Sequence, residues 1–114
     1  MEKLTNEQVQ AKADELQIRE GCQVHPLVFV DTDTDTQVIG FVKEPSRMVK
    51  LRVLDKGLIS PVTAAAELLD AVLIKDVSDA RIWDEKPEND KIYLGAVMAC
   101  YETIQLSTNQ FKKK

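Results

Sequence analysis

Apolar and polar positions follow two different periods along the chain, and the period of each segment predicts its secondary structure. Near the start, apolar residues recur at helical spacing, at Val9, Ala13 and Leu16. Thr5 and Gln8 precede them in the arrangement of a capping box, and Gly21 is a residue that commonly ends a helix. These signals predict a first helix over about residues 6–19, with polar side chains on its other face.

Two short segments rich in β-branched residues follow, at residues 27–30 and 37–43. The polar sequence DTDTDT, residues 31–36, separates them and is typical of a turn. We therefore predict a β-hairpin over residues 27–43. An isolated two-stranded hairpin is only marginally stable, so helices must cover at least one of its faces.

A short basic helix is predicted after the hairpin. Pro45 ends the strand by holding Glu44 in an extended conformation, and Ser46 belongs to the residue types that cap helices. Apolar residues then form one stripe at helical spacing: Met48, Leu51, Leu54 and Leu58. The basic residues lie largely off that stripe: Arg47, Lys50, Arg52 and Lys56. We expect this helix to end near Gly57.

Two largely apolar helices are predicted in the second half of the chain. The dipeptide Ser60-Pro61 is a start signal for the first of them, over residues 62–74. This helix has only three polar residues, Thr63, Glu67 and Asp70. Residues 75–90 are expected to form a loop, and Asp90 is expected to cap a last helix over residues 91–106.

These elements predict an α+β fold in which a small β-hairpin packs against about four α-helices and most residues are helical. A length of 114 residues suits one domain. We expect a single domain over residues 1–114, with an N-terminal helix, the hairpin 27–43, a helical part 46–106 and a frayed tail 107–114. The two apolar helices must be covered on more than one side. Either one of them is the centre of a small core, or another chain completes the cover.

Composition and charge indicate what kind of core the protein has and which partners are disfavoured. Hydrophobic residues make up 44% of the chain but aromatic residues only 5%, so the core must be mainly aliphatic. The formal net charge of −4 repels phosphate backbones, which disfavours nucleic acid as a partner. The chain has no apolar run long enough for a membrane span and begins with the polar sequence MEKLTNEQVQ. We therefore expect a soluble, cytoplasmic protein with no membrane partner.

The sequence contains few of the side chains and motifs that catalysis or metal binding needs. Cys22, His25 and Cys100 are too few for the four nitrogen or sulfur ligands of a structural zinc site, and both cysteines are expected to be reduced. The carboxylates of the DTDTDT turn resemble the opening of a calcium loop, but Thr36 and Val42 stand where that loop needs glycine and glutamate. No phosphate-binding or nucleophile motif occurs. We expect no enzyme activity, no catalytic residue, no cofactor and no metal.

Residues 46–74 have the outline of a helix-turn-helix. The second helix of this pair, however, has no Arg, Lys, Asn or Gln with which to read bases. The basic residues lie on the helix before it. They are therefore interpreted as a solvated face or as a contact with an acidic partner.

From residue 38 to residue 106 the chain resembles the tail assembly chaperones of long-tailed bacteriophages. The resemblance begins with the strand end and ProSerArg sequence of residues 40–47, followed by the short basic helix. It continues through the small and apolar sequence of residues 62–69, an acidic turn and a final apolar helix. The turn at residues 77–80 departs from the more compact glycine–aspartate turn expected there.

The resemblance implies a small protein of the host cytoplasm that acts in virion morphogenesis and is absent from the finished particle. It would bind the tape measure protein through an apolar helical surface and form a homo-oligomer along that client. Candidate contacts on the two apolar helices are Leu69, Val72, Leu73, Met98 and Tyr101. The alternative is a structural virion component or a small oligomeric adaptor, which would use the same helices in a permanent interface.

Overall fold

The computed structural model describes residues 4–108 of the protein. The elements follow in chain order: α1 (Asn6–Glu20), β1 (Val24–Asp31), β2 (Thr36–Lys43), α2 (Arg47–Gly57), α3 (Pro61–Val72), α4 (Ala80–Trp83) and α5 (Asp90–Thr108). Two single-turn 3-10 helices, Lys75–Val77 and Pro87–Asn89, flank α4. This order confirms the predicted α+β class, which is mostly helical with one small antiparallel hairpin.

The hairpin lies between two layers of helices. Its strands pair antiparallel in a register that sets Leu27 opposite Gly40 and Val24 opposite Lys43. The face that carries Leu27 packs against α3 and α5, whereas the face that carries Phe41 packs against α1. Because alternate residues of a strand point to opposite faces, cover on both faces explains why apolar residues follow one another in the strands. On the face that carries Phe41 the cover ends before Val28 and Val30, which are 42% and 44% exposed.

Helix α3 is the centre of the larger apolar core. Five of its residues are buried: Ala64, Ala65, Leu68, Leu69 and Val72. Helices α2 and α5 and strand β2 all pack against it. The large apolar side chain that α3 exposes is Val62. A single chain therefore supplies nearly all the cover that this apolar helix needs, as in the first of the two alternatives above.

The segment after α3 runs beside β2 and uses the hydrogen-bonding groups at its outer edge. The backbone N–H of Ile74 donates to the Phe41 carbonyl at 2.9 Å. Further along, the backbone N–H of Asp79 donates to the Ile39 carbonyl at 2.9 Å. The Ser78 hydroxyl oxygen accepts from the Phe41 N–H at 3.0 Å. An uncovered strand edge can pair with other chains, so this segment also protects the hairpin.

The predicted loop before α5 contains a helical turn that anchors it to the core. Asp79 caps α4 by accepting a hydrogen bond from the Arg81 backbone N–H at 3.0 Å, and Ile82 within α4 is fully buried. The Arg81 guanidinium also donates to the Thr36 hydroxyl at 2.8 Å and to the Gln37 carbonyl at 3.2 Å. The structure corrects the loop prediction here, because one buried isoleucine and one arginine hold this segment against the hairpin.

The remaining boundaries differ little from the sequence prediction. Helices α1 and α2 match it within about one residue. Strand β1 begins three residues earlier than predicted, because Val24, His25 and Pro26 continue the ladder with β2. Pro26 has no N–H to donate, which is tolerated in an edge strand. Residues 107–108 belong to α5 instead of a frayed tail, and residues 109–114 of that tail lie outside the described residues.

Candidate interaction surface

The position of α2 is fixed where β2 ends. One carboxylate oxygen of Glu44 lies 2.7 Å from the ring nitrogen Nε2 of His25, and the other lies 2.5 Å from the Lys50 ammonium. Ser46 caps α2 by accepting a hydrogen bond from the Val49 backbone N–H at 3.3 Å. Glu44 therefore ties the first turn of α2 to the end of the hairpin.

The charge of Glu44 makes this junction sensitive to pH. Partial burial alone would raise the pKa of Glu44, but hydrogen bonds from Lys50 and His25 outweigh burial and hold the pKa below its ordinary value of 4.5. A carboxylate whose pKa is lowered by folding stabilises the protein above its unfolded-state pKa. That stabilisation is lost as the pH falls through the folded-state value.

Glu44→Gln should therefore lower the free energy of unfolding at neutral pH by about 1 kcal/mol. The difference from the parent protein should shrink as the pH falls below 4.5, where the parent carboxylate becomes protonated as well. Urea unfolding of both proteins between about pH 7 and pH 3 measures this difference. A difference that stays constant over this range would show that Glu44 acts through its shape and not through its charge.

Helix α2 contacts the rest of the protein mainly through two valine side chains. Val49 and Val53 are half-buried and pack against the main core. The Lys56 ammonium contacts the Glu67 carboxylate on α3. No residue of α2 is fully buried, so the helix lies on the outside of α3 and is not inserted into the core.

The other side of α2, the turn after it and the start of α3 expose an apolar surface, which we name the α2 ridge. Six large apolar side chains form it, and each is more than half exposed: Met48 (67%), Leu51 (54%), Leu54 (64%), Leu58 (87%), Ile59 (87%) and Val62 (61%). Leu51, Leu54 and Leu58 are spaced three and four residues apart, so they follow one row along the helix. Monomeric proteins rarely leave large apolar patches exposed, and such patches commonly mark a contact with a partner.

The five contact residues predicted from the sequence lie in three different environments. Leu69 and Val72 are 0% and 3% exposed, so they are core residues and not part of an accessible surface. Leu73 and Tyr101 are half-buried against the core. Met98 is 60% exposed. The predicted contact surface is corrected for α3, because the core occupies the apolar side of that helix.

The sequence pattern predicts a stripe of the first four ridge residues but does not assign that stripe to a contact surface. The signal that could have done so is a second apolar row on the same helix, formed by Val49 and Val53 at a spacing of four residues. A helix that lies on the outside of one neighbour buries only one of two such rows. The other row is left for water or for a partner.

The DTDTDT turn is an ordinary polar turn. The Asp31 carboxylate accepts hydrogen bonds from the Asp33 backbone N–H at 3.1 Å and from the Thr34 hydroxyl at 2.9 Å. Asp33 is in turn paired with Lys91. Within residues 4–108, no group of three His, Cys, Asp or Glu side chains is placed to hold a metal ion.

The cysteines are free thiols. Cys100 lies in the core, and its burial raises the pKa of the thiol to about 12. The reactive form of cysteine is the thiolate, which burial of Cys100 disfavours at neutral pH.

An open cleft of about 500 Å³ lies at the meeting of α3, α4 and α5. Trp83 and Tyr93 line it together with several carboxylates, and the Tyr93 hydroxyl donates to Asp70 at 3.2 Å. Partial burial and the neighbouring Asp70 raise the pKa of Tyr93, so this hydroxyl stays protonated. Five of the nine residues that line this cleft are charged, so the α2 ridge is the stronger candidate for an apolar partner contact.

No helix in the described part of the chain has the length and apolar character needed to cross a bilayer. Comparisons with protein-family models, with curated proteins and with solved structures find no match to this chain. The functional conclusion therefore rests on the geometry of the α2 ridge together with the resemblance carried by residues 38–106.

Proposed function

We propose that this protein is a tail assembly chaperone of a long-tailed bacteriophage and binds the tape measure protein through the α2 ridge. The observation that carries the proposal is the exposure of six large apolar side chains on one side of α2, on the turn after it and at the start of α3. The resemblance of residues 38–106 to that family supports the same conclusion and supplies the identity of the client.

The physical basis is the shielding of an apolar helix. A tape measure protein is a long helix with an apolar pattern, and exposed apolar surface of this kind leads to aggregation before assembly. The ridge side chains can interdigitate with those of the client helix, as in other helix–helix contacts. Met48 is unbranched and flexible, so it can fit a client surface that changes along its length.

Helix α2 is held in place before any client arrives. Its ion pairs to Glu44 and to Glu67 fix it at both ends, as does the packing of Val49 and Val53 on the core. Binding therefore does not have to order the helix first, which lowers the entropy cost of association.

The proposal places the protein in the host cytoplasm during virion morphogenesis, as a homo-oligomer with several copies along one client. Copies that touch each other on the client bind with higher avidity. Leu94 and Met98 are 52% and 60% exposed and lie one turn apart on α5. We assign the contact between copies to these two residues.

Leu58→Asp should abolish the protection of the client. When the parent protein is coexpressed with the tape measure protein, we expect the client to stay soluble and to copurify. The aspartate would have to be buried against an apolar client, which costs several kcal/mol. Because Leu58 is 87% exposed in the free protein, the variant should fold normally. Soluble client is measured after centrifugation, and folding is measured by circular dichroism.

Ile18→Asp is the matched control for this experiment. Ile18 is also 87% exposed, but it lies on α1 and outside the ridge. This variant should keep the client soluble as well as the parent does. Full protection by Leu58→Asp, or an equal loss in both variants, would contradict the ridge mechanism. If the parent protects no client but forms a stable oligomer, the structural virion component or oligomeric adaptor is supported instead.

A further inference from the structure

The cations of α2 border the α2 ridge and differ in their contacts within the described part of the chain. Helix α2 carries one carboxylate and four cations: Asp55, Arg47, Lys50, Arg52 and Lys56. The two lysines contact carboxylates of the same protein, Glu44 and Glu67. Within residues 4–108, neither arginine makes an ion pair, although Arg52 lines the groove between α2 and α3 together with Glu67 and Asp70.

Both arginines lie beside ridge side chains. Arg47 precedes Leu51 by four residues, and Arg52 follows Met48 by four residues, so each is one helical turn from a ridge residue. Both arginines are exposed. A protein with a formal net charge of −4 therefore presents local positive charge where its apolar surface is exposed.

We infer that the α2 ridge binds an amphipathic helix whose apolar stripe is bordered by glutamate or aspartate side chains. The inference rests on the proposed function and names the chemistry of the client segment. Guanidinium groups form charge-assisted hydrogen bonds with carboxylates in a fixed planar geometry. Two such contacts at the border select the register of a helix that apolar packing alone would allow to slide.

A second copy of this protein fits the ridge less well than an acidic helix does. Two ridges packed together bring the Arg47 and Arg52 side chains of both copies to one interface. Each α2 offers only Asp55 as a carboxylate against them. Like charges brought together across a contact oppose association.

Two synthetic helical peptides test the inference. They share one leucine stripe, and the residues bordering that stripe are glutamates in one peptide and lysines in the other. We expect the parent protein to bind the glutamate peptide about ten-fold more tightly at low salt. The preference should disappear toward about 1 M salt, where the screening length is about 3 Å. Fluorescence anisotropy of labelled peptides measures both affinities.

A double charge reversal in the protein is the second test of the inference. Arg47→Glu combined with Arg52→Glu should reverse the preference between the two peptides. Lys12→Glu combined with Lys86→Glu makes the same change in net charge at exposed lysines outside α2, and it should leave the preference as it is. Equal affinity of the parent for both peptides would overturn the inference. So would a glutamate preference that survives the arginine reversal.

The outcomes separate this inference from the proposed function. If the parent prefers the glutamate peptide but does not keep the tape measure protein soluble, the inference stands and the proposed function fails. If the parent keeps the client soluble without any charge preference, the proposed function stands and the inference is overturned. If neither peptide binds and the parent is a dimer that Leu54→Asp dissociates, a second copy occupies the ridge and the inference is overturned.

Discussion

Leu69→Ala is expected to lower the free energy of unfolding by about 2–5 kcal/mol. Leu69 is 0% exposed on α3 and belongs to the main core, so the shorter side chain leaves a cavity that close-packed neighbours fill only in part. Leu54→Ala removes the same atoms from a ridge side chain that is 64% exposed. It should change the free energy of unfolding by no more than about 0.5 kcal/mol. Urea unfolding at equal protein concentration measures both values.

This pair of variants decides which helix offers an accessible apolar surface. A small loss for Leu69→Ala would contradict the core assignment and return Leu69 to the candidate contact surface. A large loss for Leu54→Ala that grows with protein concentration would mean that another copy covers the ridge, because association stabilises the folded state by mass action.

Gly40→Val is expected to destabilise the protein by about 1–3 kcal/mol, although valine favours strands. A Cβ atom at position 40 would lie 2.8 Å from Cδ1 of Ile82 and 3.9 Å from Cβ of Leu27. Ile82 is fully buried, so its side chain can move only into packed neighbours. The two further methyl groups of valine need still more room. Thermal unfolding should show a lower midpoint with an unchanged far-ultraviolet spectrum at low temperature.

Gly57→Ala is the matched control, because a Cβ atom at that position meets no atom within 4 Å. Gly57 is the last residue of α2, and alanine there reduces the conformational freedom of the unfolded chain. This variant should be neutral or stabilised by up to about 1 kcal/mol. An equal loss at both positions would show that the effect at Gly40 does not come from contact with Ile82.

The boundaries of α1 could be predicted because their signals are local. Both hydrogen bonds of the capping box form, with Gln8 N–H donating to the Thr5 hydroxyl at 3.2 Å and Thr5 N–H donating to the Gln8 side chain at 2.8 Å. Gly21 ends the helix with a φ of 71°, which glycine adopts without strain. These groups lie within a few residues of each other, so the boundaries do not depend on the rest of the fold.

The side of α2 that faces the core could not be predicted from periodicity. Val49 and Val53 form one apolar row and the ridge forms another, so the pattern predicts a helix without selecting its buried face. The selection depends on partners in other elements, Glu44 at the end of the hairpin and Glu67 on α3. The same limit explains the assignment of Leu69 to a contact surface. Apolar character alone does not distinguish a core residue from an exposed contact residue.

The segment before α5 takes its structure from contacts with β2, which is distant in sequence. Ile82 is buried because Gly40, on the facing strand, has no side chain at that place. Arg81 is held by Thr36 and Gln37, at the start of the same strand. A prediction from the segment itself lacks these partners, so its polar composition indicates only a loop.

The hairpin divides the apolar interior into two clusters that share no residue. The smaller one joins α1 to the hairpin and the segment after α3: Val9, Ala13, Leu16, Val24, Phe41 and Ile74. Beyond it, α1 is tied by the exposed Arg19–Asp76 pair, by the Glu20–Lys43 pair and by a hydrogen bond from the Val24 backbone N–H to the Gln17 side chain. Exposed ion pairs contribute little. We therefore expect α1 to detach as one cooperative unit while α3 and α5 stay packed. The protein would then have two levels of stability, with α2, packed on the larger cluster, in the more stable part.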